Sequence, residues 1–294
     1  ATRLEGMPVS FNWGATDPGT DVVSGWTVEW GDGTTSAFAG NVLSGNKTYA
    51  DNGSYTVRLT AVDEDGSYQT TLATTVANVA PTLLVSGSAN PSEGSAFTLS
   101  FGKTDPGADT VSQWRVEWGD GTTNFYSGST TSAQRVYADN GSYLVRVTAT
   151  DEDGSYQTTL SVSVANVAPT LTVSAGATRV EGSPVTLNFS RSDPGADTVS
   201  SWRVEWGDGT TGTFTGTATS ATRVYADNGT YSVRVTATDE DGSYQTTLPL
   251  TIADVAPTLT LTGPATVAAG ATYAINFSAT DPGADTVSAW QVTW

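Results

Sequence analysis

Along the chain, apolar and polar residues alternate with a period of two over stretches of five to seven residues. Thr-Leu-Thr-Val-Ser (170–174), Pro-Val-Thr-Leu-Asn-Phe (184–189), Trp-Arg-Val-Glu-Trp (202–206) and Tyr-Ser-Val-Arg-Val-Thr-Ala (231–237) are examples. Successive side chains of a strand project to opposite faces, so this pattern predicts half-buried strands. Asp-Pro-Gly, Gly-Asp-Gly, Asp-Asn-Gly and Glu-Asp-Gly supply turns between them. No segment keeps an apolar 3.6-residue period over three turns, and no helix is expected.

The same alternation predicts which side chains form the core. In Trp-x-Val-x-Trp, Trp26, Val28 and Trp30 share one face, and Thr27 and Glu29 share the other. Trp114/Trp118, Trp202/Trp206 and Trp290/Trp294 repeat the arrangement. Regularly spaced Trp can form a sugar-stacking platform, but two Trp and a Val on one strand face are what a small sandwich buries. A later strand turns Tyr143, Val145, Val147 and Ala149 inward and Arg146 outward. Cross-strand pairs Glu29–Arg58, Glu117–Arg146 and Glu205–Arg234 are therefore expected.

These patterns recur at one interval. Asp-Pro-Gly begins at Asp17, Asp105, Asp193 and Asp281, and Asp-Glu-Asp-Gly at Asp63, Asp151 and Asp239. Each step is 88 residues (105 − 17, 151 − 63). That period is too long for a helical solenoid unit and suits one β-sandwich of about seven strands. Four segments follow: 1–79, lacking its first strand, then 80–167, 168–255, and 256–294 as the opening part of a fourth unit. Both ends fall inside a repeat, so a piece of a longer array is expected.

Composition narrows the chemistry. The 294 residues include no Cys and no His, and the formal charge is −18. Disulfides, thiolate nucleophiles and the commonest general base are missing. An acidic chain repels nucleic acid and anionic membranes and attracts divalent cations. No apolar run of about 20 residues is present to span a bilayer. No nucleophile–base constellation or phosphate-binding loop is visible, so an enzyme is not expected.

Trp-x-Val-x-Trp-Gly-Asp-Gly, followed by Val-Tyr-Ala-Asp-Asn-Gly-x-Tyr-x-Val-x-Val-Thr-Ala-Thr-Asp-Glu-Asp-Gly, resembles the polycystic kidney disease (PKD) repeat. Trp stands where that family has its leading Tyr and its Phe, and Val stands in place of the middle Trp. The resemblance implies tandem Ig-like sandwiches of an extracellular, cell-surface or secreted protein that space, bind or adhere. It also implies Ca²⁺ at the Asp-Pro-Gly-x-Asp loop and at the Asp after the later strand. The linkers look like cadherin junctions, which implies a Glu contribution from Glu5, Glu93 and Glu181. The fourth unit departs from this, with Ala269 at that place and Asp254 in its linker instead of Asn.

In an Ig-like order the Asp-Pro-Gly-x-Asp and Asp-Glu-Asp-Gly loops lie at one end of a domain, beside the entering Asn-Val-Ala-Pro linker. The candidate oxygen ligands are Asp17, Asp21, Asp63 and Asp65, then Asn78, Asp105, Asp109, Asp151 and Asp153. Asn166, Asp193, Asp197, Asp239 and Asp241 follow, and then Asp254, Asp281 and Asp285. Such a set suits Ca²⁺, which takes six to eight oxygens, and does not suit zinc. Equally, these loops can be turns chosen for backbone preference. Asp32, Asp120, Asp208, Asp51, Asp139 and Asp227 read as turn formers.

Two functions follow as expectations. One is a fibre or stalk segment whose partners are neighbouring repeats and copies of itself, with assembly into filaments as one form. The other is an adhesin or accessory module for a carbohydrate or protein ligand. Its aromatic candidates are Tyr68, Tyr156, Tyr244, Phe38, Phe125 and Phe214.

Overall fold

The computed structural model describes residues 2–294, and no helix occurs among them. In the third repeat the alternating stretches become seven strands. Thr170–Ala175, Pro184–Ser192 and Ser220–Val224 form one sheet in that order. Thr211–Thr215, Ser201–Glu205, Gly229–Thr238 and Ser243–Ile252 form the other. Every pairing is antiparallel. The second repeat has the same three- and four-stranded sheets, built from Thr82–Gly87 through Ser155–Val164.

The first repeat has no counterpart of Thr82–Gly87. Its strand Pro8–Asn12 pairs only with Ser44–Thr48, and it ends at Asn12 where the equivalent strands run on to Thr104 and Ser192. A cavity of about 210 Å³ lined by Phe11, Trp13, Val28, Val57, Leu59 and Leu72 marks the uncovered side. Residues 256–294 form a single pair of strands, Thr258–Thr262 with Asn276–Thr280.

The chain divides into two compact units. One comprises residues 1–91, 96–137 and 141–164; the other comprises 92–95, 138–140 and 165–294. Within them, the Trp-x-Val-x-Trp face is core: Trp26, Trp30, Trp114, Trp118, Trp202 and Trp206 are buried. Val145, Val147 and Ala149 are buried with them, and Tyr143 packs at the edge. The expected register holds, with Glu29 opposite Arg58, Glu117 opposite Arg146 and Glu205 opposite Arg234.

The fourth stretch differs from expectation. Trp290 is 42% and Trp294 83% exposed, because residues 256–294 hold no equivalent of Gly53–Val62, the strand that covers these rings elsewhere. The repeats also differ at one aromatic position. The side chain opposite Trp114 is Tyr126, 88 residues from both Phe38 and Phe214, while Phe125 is turned outward at 60% exposure.

Each Gly-Asp-Gly turn is held from two sides. Gly31, Gly119 and Gly207 have φ between 83° and 85°, and a Cβ on Gly31 would meet the Thr56 backbone at 2.7 Å. The buried hydroxyls of Tyr49, Tyr137 and Tyr225 donate to the carbonyls of Trp30, Trp118 and Trp206, each at 3.0 Å. The turn aspartate accepts from the amide and hydroxyl of the Thr two residues on. It also pairs with Lys47, Arg135 or Arg223. Burial alone would raise these carboxyls, but the hydrogen bonds and the cation hold Asp32, Asp120 and Asp208 below the usual value.

Two outcomes are expected from this packing. Trp206→Ala leaves a cavity in the third sandwich and lowers stability by about 3–5 kcal/mol, measured by chemical denaturation. Glu205→Gln, at an exposed cross-strand pair, costs about 0–1 kcal/mol in the same measurement.

Candidate metal centre

The turn after each short opening segment carries Glu-Gly: Glu5-Gly6, Glu93-Gly94 and Glu181-Gly182. A short parallel pairing sets its position, by Arg3–Leu4 against the strand Ser67–Ala77 and by the bridges Ser92↔Ala165 and Val180↔Ala253. The glutamate thereby turns onto the linker that follows its own sandwich. One oxygen, Oε1, accepts from the linker amide: Val79 N at 2.6 Å for Glu5, Val167 N at 2.6 Å for Glu93, and Val255 N at 2.8 Å for Glu181.

The next Asp-Pro-Gly loop packs against that carboxylate. A Cβ on Gly107 would lie 2.7 Å from the Glu5 carboxyl carbon, and on Gly195 or Gly283 it would lie 2.5 Å from those of Glu93 and Glu181. Backbone bonds from Ala108 N to Ala50 O (2.7 Å) and from Ala196 N to Ala138 O (2.6 Å) fasten the loop. Within the loop, Oδ1 of Asp105, Asp193 and Asp281 accepts from the glycine amide two residues on.

Three carboxylates consequently meet at each place. Glu5 with Asp105 and Asp109, Glu93 with Asp193 and Asp197, and Glu181 with Asp281 and Asp285 each bring ligand oxygens within 4.8 Å. A further set joins Asp51, Asp109 and Asp153 at the same distance. Glu5 is 0% and Asp109 6% exposed. Oε2 of all three glutamates has no protein partner, nor has either side-chain oxygen of Asp109 or Asp197. A buried anion without a donor or counter-charge is costly, so these oxygens call for a cation.

The Asp-Glu-Asp-Gly loop contributes in three ways. Asp151 Oδ1 accepts from the amides of Asp153 and Gly154, both at 3.0 Å, and its Oδ2 is buried and unpartnered. Glu152 accepts from the Thr110 amide and so clamps the neighbouring loop. Asp153 Oδ1 takes the Asn52 side-chain amide from the preceding repeat. Asp239, Glu240 and Asp241 repeat these contacts with Gly242, Thr198 and Asn140.

The linker asparagines hold the neighbouring tyrosines through their side-chain amides. Asn78 and Asn166 donate to the hydroxyls of Tyr156 (3.1 Å) and Tyr244 (3.0 Å), and Asn166 Oδ1 is buried without a partner. Asp254, in the third linker, lies beside Glu181 and Asp285: the Val255 amide holds the Glu181 carboxyl down while burial and Asp254 raise it, and burial, Asp227 and Asp254 raise Asp285. In the first repeat, Asp17, Asp21, Asp63 and Asp65 join no group of three carboxylates within 4.8 Å among the described residues. Asp63 Oδ1 accepts from Asp65 N and Gly66 N, as its equivalents do.

Electrostatics reflect the crowding. Burial first, then Glu5, Asp105 and Asp153, push Asp109 up to about 6. Burial, then Glu93, Asp193 and Asp241, push Asp197 up to about 6. Burial and the nearby Asp17, Glu64 and Asp63 raise Asp21 as well. Two built-in cations offset part of this field. Lys103 pairs with Asp105 (2.9 Å) and donates to the Asp109 carbonyl, and Arg191 does the same at Asp193 and Asp197.

Sequence reading set Asp51 aside as a turn residue, and it enters a carboxylate group. Its only sequence signal was recurrence at Asp139 and Asp227. Of the aromatic candidates, Tyr68 and Phe125 are exposed and the other four are engaged within the structure. The Tyr156 and Tyr244 hydroxyls are engaged by the linker, Phe38 packs on Trp13 at 5.0 Å, and Phe214 lies 6.4 Å from Phe189.

Comparison with known proteins agrees with the repeat. No curated protein matches the chain. Among solved structures it is similar to the fibronectin(III)-like modules of Clostridium thermocellum CbhA, at 18% identity over 57% of this chain and 94% of that one, with a TM-score of 0.27. It is similar to the chicken CNTN1 FN1–FN3 domains, at 14% identity over 85% and 96%, with a TM-score of 0.28. A tetra-tandem repeat from the extending region of a large adhesion protein is similar at 20% identity over 90% and 83%, with a TM-score of 0.41. The family model of the PKD domain matches residues 1–77, 78–165 and 166–253. Those three matches span most of the sequence, and the chain belongs to the PKD domain family.

Proposed function

We propose that the chain is an extending segment of a secreted or cell-surface protein, in which calcium held where one repeat meets the next limits bending. The observation that carries this reading is the set of buried, unpartnered carboxylate oxygens on Glu5, Asp109, Glu93, Asp197 and Glu181. In each case the Glu follows one repeat's opening segment and the Asp pair belongs to the next repeat. A cation bound there interacts with two sandwiches at once, so separating them costs its binding free energy.

The donors are all oxygen, which suits a hard cation of flexible coordination such as Ca²⁺. Glu5, Asp105 and Asp109 would hold it at the first junction, with Asp151 and Asp153 behind them. Glu93, Asp193, Asp197, Asp239 and Asp241 would do so at the next. Asp281, Asp285, Asp254 and Glu181 would form a third site. Asn78 and Asn166 set the linker through the Tyr hydroxyls. Asp17, Asp21, Asp63 and Asp65 are the half of such a site that a following repeat contributes, and need a preceding Glu to complete it. A sandwich of strands at ~3.3 Å per residue is ~30–40 Å long. Stacked repeats therefore gain reach cheaply, which suits a spacer.

The Ca²⁺ reading has a direct test. Millimolar Ca²⁺ should raise the melting temperature by several degrees and chelator should reverse it, followed by circular dichroism. An unchanged melting temperature would exclude a stabilising calcium.

Protons compete for the same oxygens, which fixes the pH dependence. Asp109 moves from the ordinary 3.8 to about 6 on folding, and so does Asp197. A carboxyl with a raised folded pKa takes up a proton on folding, so its stabilising effect is present at low pH and is lost as pH rises from about 4 through 6. In chelator, the thermal transition should therefore fall between pH 5 and pH 7.5. With saturating Ca²⁺ that fall should flatten or reverse.

A further inference from the structure

We infer that the first junction takes two divalent cations, the second lying between Asp51, Asp109 and Asp153 and joined to the first through the Asp109 carboxylate. This rests on the calcium reading above and extends it to a site of its own.

Asp109 belongs to two separate sets of ligand oxygens, one with Glu5 and Asp105, the other with Asp51 and Asp153, each closed within 4.8 Å. Its side chain is more than nine-tenths buried, and both Oδ1 and Oδ2 lack a protein partner. A carboxylate serving a single cation through one oxygen would leave the other still buried and unsatisfied. Bidentate binding to one cation satisfies both oxygens but leaves Asp51 and Asp153 unused; bridging satisfies both and serves the two sets together.

The second set is built by the fold. The Ala108 N to Ala50 O bond, 2.7 Å long, draws the loop carrying Asp51 alongside the loop carrying Asp109. The Tyr55 hydroxyl donates to the Asp51 carbonyl at 2.7 Å and fixes that turn while leaving the carboxylate unused. Asn52 donates to Asp153 Oδ1, which orients that side chain and leaves its Oδ2 available.

Charge points the same way. Six carboxylates (Glu5, Asp51, Asp105, Asp109, Asp151 and Asp153) face one ammonium, Lys103. The sum, −6 + 1 = −5, is left at −3 by one divalent ion and at −1 by two. Glu152 is not in this sum, since its carboxylate is turned to the Thr110 amide.

Equilibrium dialysis against radioactive calcium counts the bound ions per chain. Asp51→Asn, an isosteric change at an exposed residue, should bind one calcium fewer than the unaltered chain and keep most of the calcium-induced rise in melting temperature. Glu5→Gln should also lose one, and Asp109→Asn should lose two. An unchanged count in Asp51→Asn, or loss of a single ion in Asp109→Asn, overturns the second site while the first stands. An unaltered chain that binds no calcium overturns the calcium reading itself, and the second site with it.

Discussion

A glutamate carboxylate buried between two sandwiches constrains the rest of the array. Glu5, Glu93 and Glu181 each give one oxygen to a linker amide and keep the other inside without a protein donor. Burying an ionised carboxylate costs several kcal/mol unless it is fully paired. The surrounding residues are arranged around that cost. The linker has its amide turned toward the Glu, and the next loop must carry Gly at 107, 195 and 283 because a Cβ would enter the carboxyl group. The aspartates two residues before and after that Gly complete the polar cluster.

The sandwiches and the junctions are stabilised by different physics. A sandwich core such as Val204, Trp202, Trp206, Tyr225 and Val235 rests on apolar burial, and its polar turns are satisfied internally through Asp208, Thr210 and Arg223. The junction has a different character: high negative charge and buried oxygens without protein donors. On the calcium reading proposed above, its strength depends on what solution supplies, while the core's rests on apolar burial.

The difference also explains what could be read from the sequence. Period-two alternation placed Trp26, Trp30 and Val28 inside, and it set Glu29 opposite Arg58, because both follow from local strand geometry and one adjacent strand. Two aromatics stand side by side in Asn-Phe-Tyr, and the pairing with Trp114 turns Tyr126 inward and leaves Phe125 exposed, which local sequence does not decide. Asp105 and Asp109 were visible as candidates because they recur at a fixed spacing within one loop. Asp51 was not, since its role appears only when a neighbouring sandwich docks and brings Asp109 and Asp153 to it. Asn78 was a candidate from its place in the linker, and the structure adds that its side-chain NH2 donates to the Tyr156 hydroxyl. Convergence across a junction depends on how two rigid bodies meet, and periodicity within one body carries no record of that.

Near-identical repeats need not make identical junctions. The position two residues before Asp-Pro-Gly is Ala15, Lys103, Arg191 and Ala279 in turn. Lys103 and Arg191 reach an Asp carboxylate and a loop carbonyl, and so supply part of the positive charge from within the chain. Ala279 supplies none, and the linker beside it exchanges Asn for Asp254, whose charge adds to Glu181 and Asp285. At these two positions alone that junction differs from its predecessors by two charges, one cation lost and one anion gained. Coulombic attraction for a divalent ion grows with each uncompensated carboxylate, while an internal ammonium competes with it for the same oxygens. On the calcium reading proposed above, side chains outside the sandwich cores set how far each linkage depends on external cations.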